Sequence, residues 1–338
     1  MAQVSRELGI GGLAKLASNE CPLPPFPEVV EAAAAAASGV NRYPDNSAHE
    51  LVDSLARHLD VAPDQIWPGA GSTQLIAATA LAVGGPGTSA LYADPSFVMY
   101  PIATRIAGSE EIVVPLDERH RHDLDAMLAA IDATTTLVYL CNPNNPTGTI
   151  VDAGSVDRFV DAVPDDVLIV VDEAYHEYVT DGGHRSAVPH AVTRDNVVVM
   201  RTFSKVYGLA GLRIGYAVGR ADTLAWLRRT QVPFSANSLA QAAAIEAMRH
   251  PDRLAKRIAD NAAGREQLEA GLATLGVRYA PSQTNFVAVF PERDPSDLAA
   301  ALERRGVIVR ALGPVLRVTV GTDAENDRFL VALAEELA

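Results

Sequence analysis

The chain has 338 residues, 48% of them hydrophobic and 21% charged, and a formal net charge of -14. That composition is ordinary for a soluble globular protein, and the length predicts two domains. The acidic balance argues against a nucleic-acid or anionic-membrane partner, because no broad basic surface can form without strong local segregation; it leaves room for one or two arginines that bind a small anion in a cleft.

In chain order, the opening "MAQVSRELGIGG" lacks the continuous apolar stretch of a signal peptide. The run from Ala32 to Ala37 predicts a helix, since alanine has the best helix propensity. "SAHELVDSLARHL" and "STQLIAATALAV" have helical spacing, and Ser72 and Thr73 are expected to cap the second. Short β-branched or apolar runs follow: "TSALYAD", "EEIVVPL", "TTLVYLCNP", "DVLIVVDEAY", "NVVVMRTFS" and "RIGYAVG". Amphipathic segments such as "DLDAMLAAI" and "AGSVDRFVDAV" separate them. From about residue 45 to 235, buried strands thus alternate with helices, which predicts an α/β fold with a largely parallel, helix-covered sheet. The strongest apolar run, "DVLIVVDEAY", is far too short to span a bilayer. After Pro233 the texture changes to long helices interrupted near Pro251, then to a smaller α+β unit of about 90 residues. No solenoid repeat is present.

Cys21 and Cys141 are far apart and give neither a disulfide framework nor a metal cluster, which fits a reducing cytoplasm. No His, Cys and carboxylate spacing predicts a metal site, and no Gly-x-Ser-x-Gly elbow predicts a hydrolase.

Ligands of open α/β sheets bind beyond the carboxyl ends of the strands. Five element ends carry a polar, glycine or aromatic group toward that edge: Gly69, Gly71 and Ser72 before a helix, Phe97 after "TSALYADPS", Asn145 in "CNPNNPTG", Asp172 with Tyr175 after "VLIVV", and Lys205 after "NVVVMRTFS". Taken singly, "PNNPTG" reads as a tight turn, the Gly-x-Gly as a loop, and Asp172 as a helix cap. Jointly they meet the needs of a pyridine cofactor with a phosphate. Such a cofactor requires a lysine for an imine and an acid that keeps its ring nitrogen protonated. Its phosphate requires backbone amides at a helix start, hydroxyls and an arginine, and its ring a flat neighbour.

The stretches "KLASNECPLPP", "NRYPD", "GAGSTQL", "DPSFVMYP", "NPNNPTGT", "VDEAYHEYV", "RTFSKVYGLAGLRIGY", "SQTNFVAV" and "LRVTVGT" span nearly the whole chain. In that order they resemble the fold-type I, pyridoxal-phosphate-dependent aminotransferases, and most closely the histidinol-phosphate aminotransferase branch, which also includes aromatic aminotransferases. The resemblance implies a large domain with a mostly parallel helix-covered sheet and a smaller α+β domain. It divides the chain into an N-terminal segment, 1–40, that serves the small domain and dimer contacts; a cofactor-binding domain, 41–235; and a small domain, 236–338. It also implies that Lys205 forms the Schiff base with pyridoxal 5'-phosphate and shuttles the proton, while Asp172 pairs with the ring nitrogen. Tyr175 and Asn145 bond the ring's phenolic oxygen, and Phe97 stacks on the ring. The amides around Ala70, Gly71 and Ser72, with Thr202, Ser204 and Arg213, hold the phosphate. Tyr43 reaches the phosphate of a neighbouring subunit, which implies a homodimer with shared sites. Asn19, Asn145 and Arg317 face the substrate, Arg317 gripping its carboxylate.

Two departures stand out: the region before "KLASNE" is short, which trims the arm that swaps across the dimer, and "GAGST" replaces the acidic "GADE" of some relatives. The implied activity is amino transfer between L-histidinol phosphate and 2-oxoglutarate, in histidine biosynthesis. Alternatives on the same scaffold are an aromatic aminotransferase and a threonine-phosphate decarboxylase of cobalamin synthesis. A non-catalytic effector-sensing regulator is disfavoured, because the acidic chain starts almost directly at the catalytic motifs, with no room for a basic helix-turn-helix.

Overall fold

The structure, a computed structural model, describes residues 12–337. The expectation about "MAQVSRELGIGG" and the first part of the 1–40 segment lie outside the described residues. The described part of the chain begins with β1 (Ala14–Lys15), then α1 (Pro27–Ala37) and α2 (His49–Leu59). β2 (Ile66–Gly69) and α3 (Ser72–Val83) follow, then β3 (Ser89–Asp94), α4 (Met99–Ala107) and β4 (Glu110–Pro115). Next come α5 (Leu124–Ala129), β5 (Thr135–Cys141), α6 (Ala153–Ala162), β6 (Leu168–Asp172), α7 (Val188–Thr193) and β7 (Val197–Thr202). β8 (Gly215–Val218), α8 (Ala221–Leu227) and α9 (Ser238–Met248) complete the large body, and α10 (Pro251–Thr274) leads out of it. The small body holds β9 (Arg278–Ala280), β10 (Phe286–Phe290), α11 (Pro295–Arg304), β11 (Val307–Ile308), β12 (Arg310–Leu312), β13 (Val315–Thr319) and α12 (Asp323–Leu337).

β2 to β8 form one seven-stranded sheet in the order β2-β8-β7-β6-β5-β3-β4. The pairs from β4 through β7 are parallel; β8 runs antiparallel to both β7 and β2. The central strands are apolar on both faces because helices cover both. Ile169, Val171, Val197 and Val199 enter one core, while Leu168, Val170, Val198 and Met200 enter the other. That period of two follows from the alternation of side chains along a strand. All five parallel strands end at one edge, so whatever follows each strand is gathered there.

The six strands read from the sequence are all strands, each shorter than the run that predicted it. β2 and α4 lie outside it. β2 is the sheet's edge strand and contains Pro68, which only an edge position tolerates. Ser72 and Thr73 do not cap α3: Gly71 takes the cap position with φ of +81°, where a side chain is strained, and Ser72 is the first helical residue.

The small body is a four-stranded antiparallel sheet, β12-β13-β10-β9, packed on α10, α11 and α12. β1 joins it by pairing in parallel with β11, and Ala14 and Leu16 enter its core. The packing does not divide the chain at residue 235. Ala240, Ala243, Ala244 and Ala247 of α9 pack with α1 and α2 in the large core, as does Leu254 early in α10, whereas Leu268 and Leu272 belong to the small core. The division therefore falls inside α10, and the alanine-rich faces of α1 and α9 meet because small side chains permit close approach. None of the described helices is long and apolar enough to cross a membrane.

Candidate active site

A cavity of about 340 Å³ opens at the carboxyl edge of the large sheet, under the small body. Phe97, Asn145, Asp172, Tyr175, Thr202, Ser204, Lys205, Arg213, Ser72, Asn19 and Arg317 all line it. Of the residues named from the sequence, Gly69, Ala70, Gly71 and Tyr43 do not.

One end of the cavity is built for an anion. Thr202 and Ser204 bond each other through their hydroxyls at 2.9 Å, and Arg213 Nη1 donates to Ser204 Oγ at 3.2 Å and to the Ala210 carbonyl at 3.1 Å. Among the described residues Arg213 has no carboxylate within ion-pair distance. A Cβ on Gly71 would sit 2.6 Å from Arg213 Nη2, so only glycine lets the guanidinium reach the start of α3. The expected set of amides shifts by one or two residues. The Ala70 amide donates to Gln74 Oε1 at 3.3 Å and the Gly71 amide to the Gly69 carbonyl at 2.7 Å. The amides of Ser72 and Thr73, first in the helix, have no intrahelical acceptor by geometry. A helix start, two hydroxyls and an unpaired guanidinium favour phosphate-like groups.

Lys205 and Asp172 occupy the floor. Lys205 is half-buried, and its Nζ lies 5.3 Å from the centroid of the Tyr175 ring. Burial first, then the charge of Arg317, lowers its ammonium to about 8, with Asp172 and Glu20 acting in the opposite sense. Asp172 is buried at the end of β6; its Oδ1 accepts the Ala174 amide at 3.1 Å and its Oδ2 the Tyr100 hydroxyl at 3.0 Å. Burial pushes its carboxyl up to about 6, against the Tyr100 and Ala174 hydrogen bonds and the Lys205 charge. It caps no helix: β6 ends at Asp172 and a single turn follows at His176–Tyr178.

The roof comes from the small body and the segment after β1. Arg317, on β13, donates Nη1 to Asn145 Oδ1 at 2.6 Å and Nη2 to the Ala17 carbonyl at 2.9 Å, while its buried Nε has no partner among the described residues. Asn19, held at φ +53°, donates Nδ2 to the Tyr175 hydroxyl at 2.9 Å and its amide to Thr319 Oγ1 at 3.0 Å. Tyr43 lies apart, 81% exposed and stacked on Phe234 at 4.5 Å. Sequence reasoning missed Ser18, Glu20, Thr73 and Cys141, which also line the cavity, and Tyr100 beneath it. The signal for Tyr100 was its place three residues after Phe97, one turn away once α4 is recognised.

The sequence model "Aminotransferase class I and II" matches residues 12–333. The chain belongs to this family. It is a transaminase, and pyridoxal phosphate is the cofactor of its class. The residues present fit that group: an anion end with an unpaired guanidinium, a lysine of lowered basicity, and a buried carboxylate on the same floor. Among relatives of this aminotransferase, histidinol-phosphate aminotransferase of Moorella thermoacetica is 41% identical over 99% of this chain and 88% of its own. An aromatic amino acid aminotransferase of Streptomyces coelicolor is 43% identical over 94% of this chain and 88% of its own. The crystal structure of histidinol-phosphate aminotransferase from Sinorhizobium meliloti in complex with pyridoxal-5'-phosphate superposes with a TM-score of 0.93 at 31% identity, covering 99% and 94% of the two chains.

Proposed function

We propose that this aminotransferase moves an amino group between L-histidinol phosphate and 2-oxoglutarate, a step of histidine biosynthesis. The observation that carries the substrate class is Arg310. It stands directly opposite Arg317 in the β12–β13 ladder, and directly opposed residues share one face. Burial first, and the Arg310 charge with it, lower the proton affinity of Arg317. Two neighbouring guanidinium groups repel unless an anion lies between them, and a phosphate monoester carries nearly two negative charges at neutral pH. A phenyl side chain carries no charge to relieve that repulsion. The names of relatives at 41% and 43% identity support the same reading.

Pyridoxal phosphate, when bound, supplies a carbonyl and an electron-withdrawing ring. The Ser72 and Thr73 amides, the Thr202 and Ser204 hydroxyls and Arg213 hold its phosphate. Asp172 keeps the proton on the ring nitrogen, Tyr175 and Asn145 bond the ring's phenolic oxygen, and Phe97 covers the ring face. Lys205, titrating near 8, takes and returns the proton at the substrate α-carbon. Arg317 binds the glutamate carboxylate in one half-reaction and, with Arg310, the phosphate in the other. Asn19 orients Tyr175. Tyr43, exposed beside Val40 and Phe234, serves the site of a second subunit in a homodimer. Cys21 and Cys141 are free thiols, which suits a reducing cytoplasm.

A second reading, aromatic amino acids, draws on relatives so named at 43% identity and on the Phe286 ring 5.5 Å from Arg317. Steady-state kinetics with histidinol phosphate, dephosphorylated histidinol and phenylalanine, each with 2-oxoglutarate, separates the two. The proposal expects histidinol phosphate to exceed both others in kcat/KM by at least about tenfold. Preference for phenylalanine gives the second reading.

A further inference from the structure

Tyr100 is fully buried on α4, and its ring lies parallel to Tyr139 at 4.4 Å and 11°. It also meets Phe97 edge-on at 5.8 Å. The stack leaves its hydroxyl one direction, toward Asp172 Oδ2 at 3.0 Å. Asp172 therefore receives one donor on each oxygen, the Ala174 amide and the Tyr100 phenol, and both donors are fixed by packing. The groups around this carboxylate are Tyr100 from α4, the Cys141 thiol from β5, Lys205 beyond β7, and Glu173 and Tyr175 on its own segment. Among the described residues, Tyr100 is the one side chain that donates a hydrogen bond to it.

Tyr139 provides an internal comparison. It occupies the same stack, also fully buried, and its hydroxyl has no partner among the described residues. Packing in this layer thus needs the ring alone. The hydroxyl of Tyr100 does something the ring does not.

We propose that Tyr100 is a positioning residue for the transamination: its hydroxyl orients the Asp172 carboxylate and keeps it ionised, so that the proton shared with the cofactor's ring nitrogen stays on the ring. The proposal rests on the reading of Asp172 given above. A carboxylate that loses a donor binds a proton more tightly. Without the Tyr100 hydroxyl, Asp172 would draw the shared proton from the ring nitrogen for part of the time. The ring would then carry less positive charge, and the Lys205–cofactor linkage would keep its own proton to higher pH, since like charges on one conjugated system oppose each other.

The test is the visible absorption of the holoenzyme as a function of pH, with cofactor retention on dialysis as a second readout. Tyr100→Phe is expected to raise the midpoint of the absorption change by roughly half to one pH unit and to lower kcat about tenfold, with KM within about twofold. Tyr139→Phe, which removes an unpartnered hydroxyl from the same stack, should leave all three unchanged. Replacing Tyr100 with 3-fluorotyrosine strengthens the donor and should move the midpoint the other way, which decides the matter even where Tyr100→Phe gives insoluble protein. An unmoved midpoint in Tyr100→Phe, or an equal shift in Tyr139→Phe, overturns the proposal. Asp172→Asn distinguishes the two levels. If it moves the midpoint while Tyr100→Phe does not, only the role of Tyr100 fails; if Asp172→Asn leaves the midpoint in place, the reading of Asp172 fails with it.

Discussion

Asp172 and Glu173 follow one another at the end of β6, yet they enter opposite surroundings. Asp172 faces the cavity, where two neutral donors meet it and burial pushes its carboxyl up to about 6. Glu173 faces away from it. Its Oε2 accepts from Arg201 Nε and Nη2 at 3.0 and 2.8 Å and from Ser186 at 2.8 Å, and its Oε1 accepts the Ala187 amide at 2.6 Å. Burial opposes its ionisation too and is the largest single influence, but the charges of Arg201 and His176 and the hydrogen bonds from Ala187 and Arg201 together outweigh it and hold the carboxyl below its usual value. Both side chains are excluded from water, so burial does not separate them. The supply of counter-charge does. A carboxylate with a guanidinium is a fixed structural charge; one with neutral donors still exchanges protons and can be read by a ligand.

The sharpest tests ask whether the cavity side is chemical and the far side structural. Lys205→Ala should lower turnover by roughly 10⁴-fold or more and abolish a borohydride-trappable bond, while the fold survives. A trapped adduct on another lysine would remove Lys205 from its role. Asp172→Asn should lower kcat by about 10²–10³-fold with little change in urea midpoint, because the charge is lost but the shape remains. Near-normal turnover would make the two carboxylates equivalent and break the contrast. Glu173→Gln should do the reverse. It leaves Arg201 buried without a full counter-charge, so urea unfolding should show a loss of roughly 3 kcal/mol, with kcat per folded molecule within about threefold.

The contrast also has a pH signature. Where the folded pKa of a carboxyl is raised, the folded protein holds a proton that the unfolded chain has released, so stability falls as pH rises between the two values. For Asp172 in protein stripped of cofactor that window runs from about 4 to about 6, and the fall should be on the order of 3 kcal/mol. Glu173 has the opposite sign: its contribution is present above the usual carboxylate range and is lost as pH falls through its depressed value. Urea unfolding at pH 4 and pH 6.5 should show the Asp172 effect in wild type and not in Asp172→Asn. The smallest expected effect lies outside this pair, at the roof. Arg310→Gln should lower kcat/KM for histidinol phosphate about tenfold and leave that for glutamate within about twofold. Equal losses on both substrates would mean that Arg310 acts through Arg317 on any anion.

The cavity floor was legible in the sequence because β5, β6 and β7 have apolar centres, so the polar residues at or just beyond their carboxyl ends stand out. Asp172 ends β6, Asn145 lies four residues past β5 and Lys205 three past β7. Tyr100 was not, since a tyrosine inside a buried helix reads as core until its hydroxyl is seen on Asp172. Arg310 depends on a register between two short strands, and register across a turn is set by geometry that spacing does not reveal. Of the amides expected at Ala70, Gly71 and Ser72 only that of Ser72 is free, with Thr73 beside it, because the conformation at Gly71 and the reach of Gln74 decide which are already bonded. The helices α1 and α9 were legible as helices but not as partners. Alanine-rich sequences show no strongly apolar face, and that is why the small body was expected to begin too early.

The pairing of β1 with β11 bears on how the molecule is made. Ala14 meets Val307, Asn19 meets Thr319, and the Ala17 carbonyl meets Arg317, contacts separated by about three hundred positions. Synthesis proceeds from the amino end at about 5–20 residues per second, so the segment that carries Asn19 waits some tens of seconds for the strand that completes it. Until then the large sheet can gather its polar edge, but the substrate side of the cleft does not exist. A nascent chain halted before β13 would therefore hold the pieces for cofactor capture without the means to select what the cofactor acts upon. Activity and substrate choice arrive together, once β13 has been made.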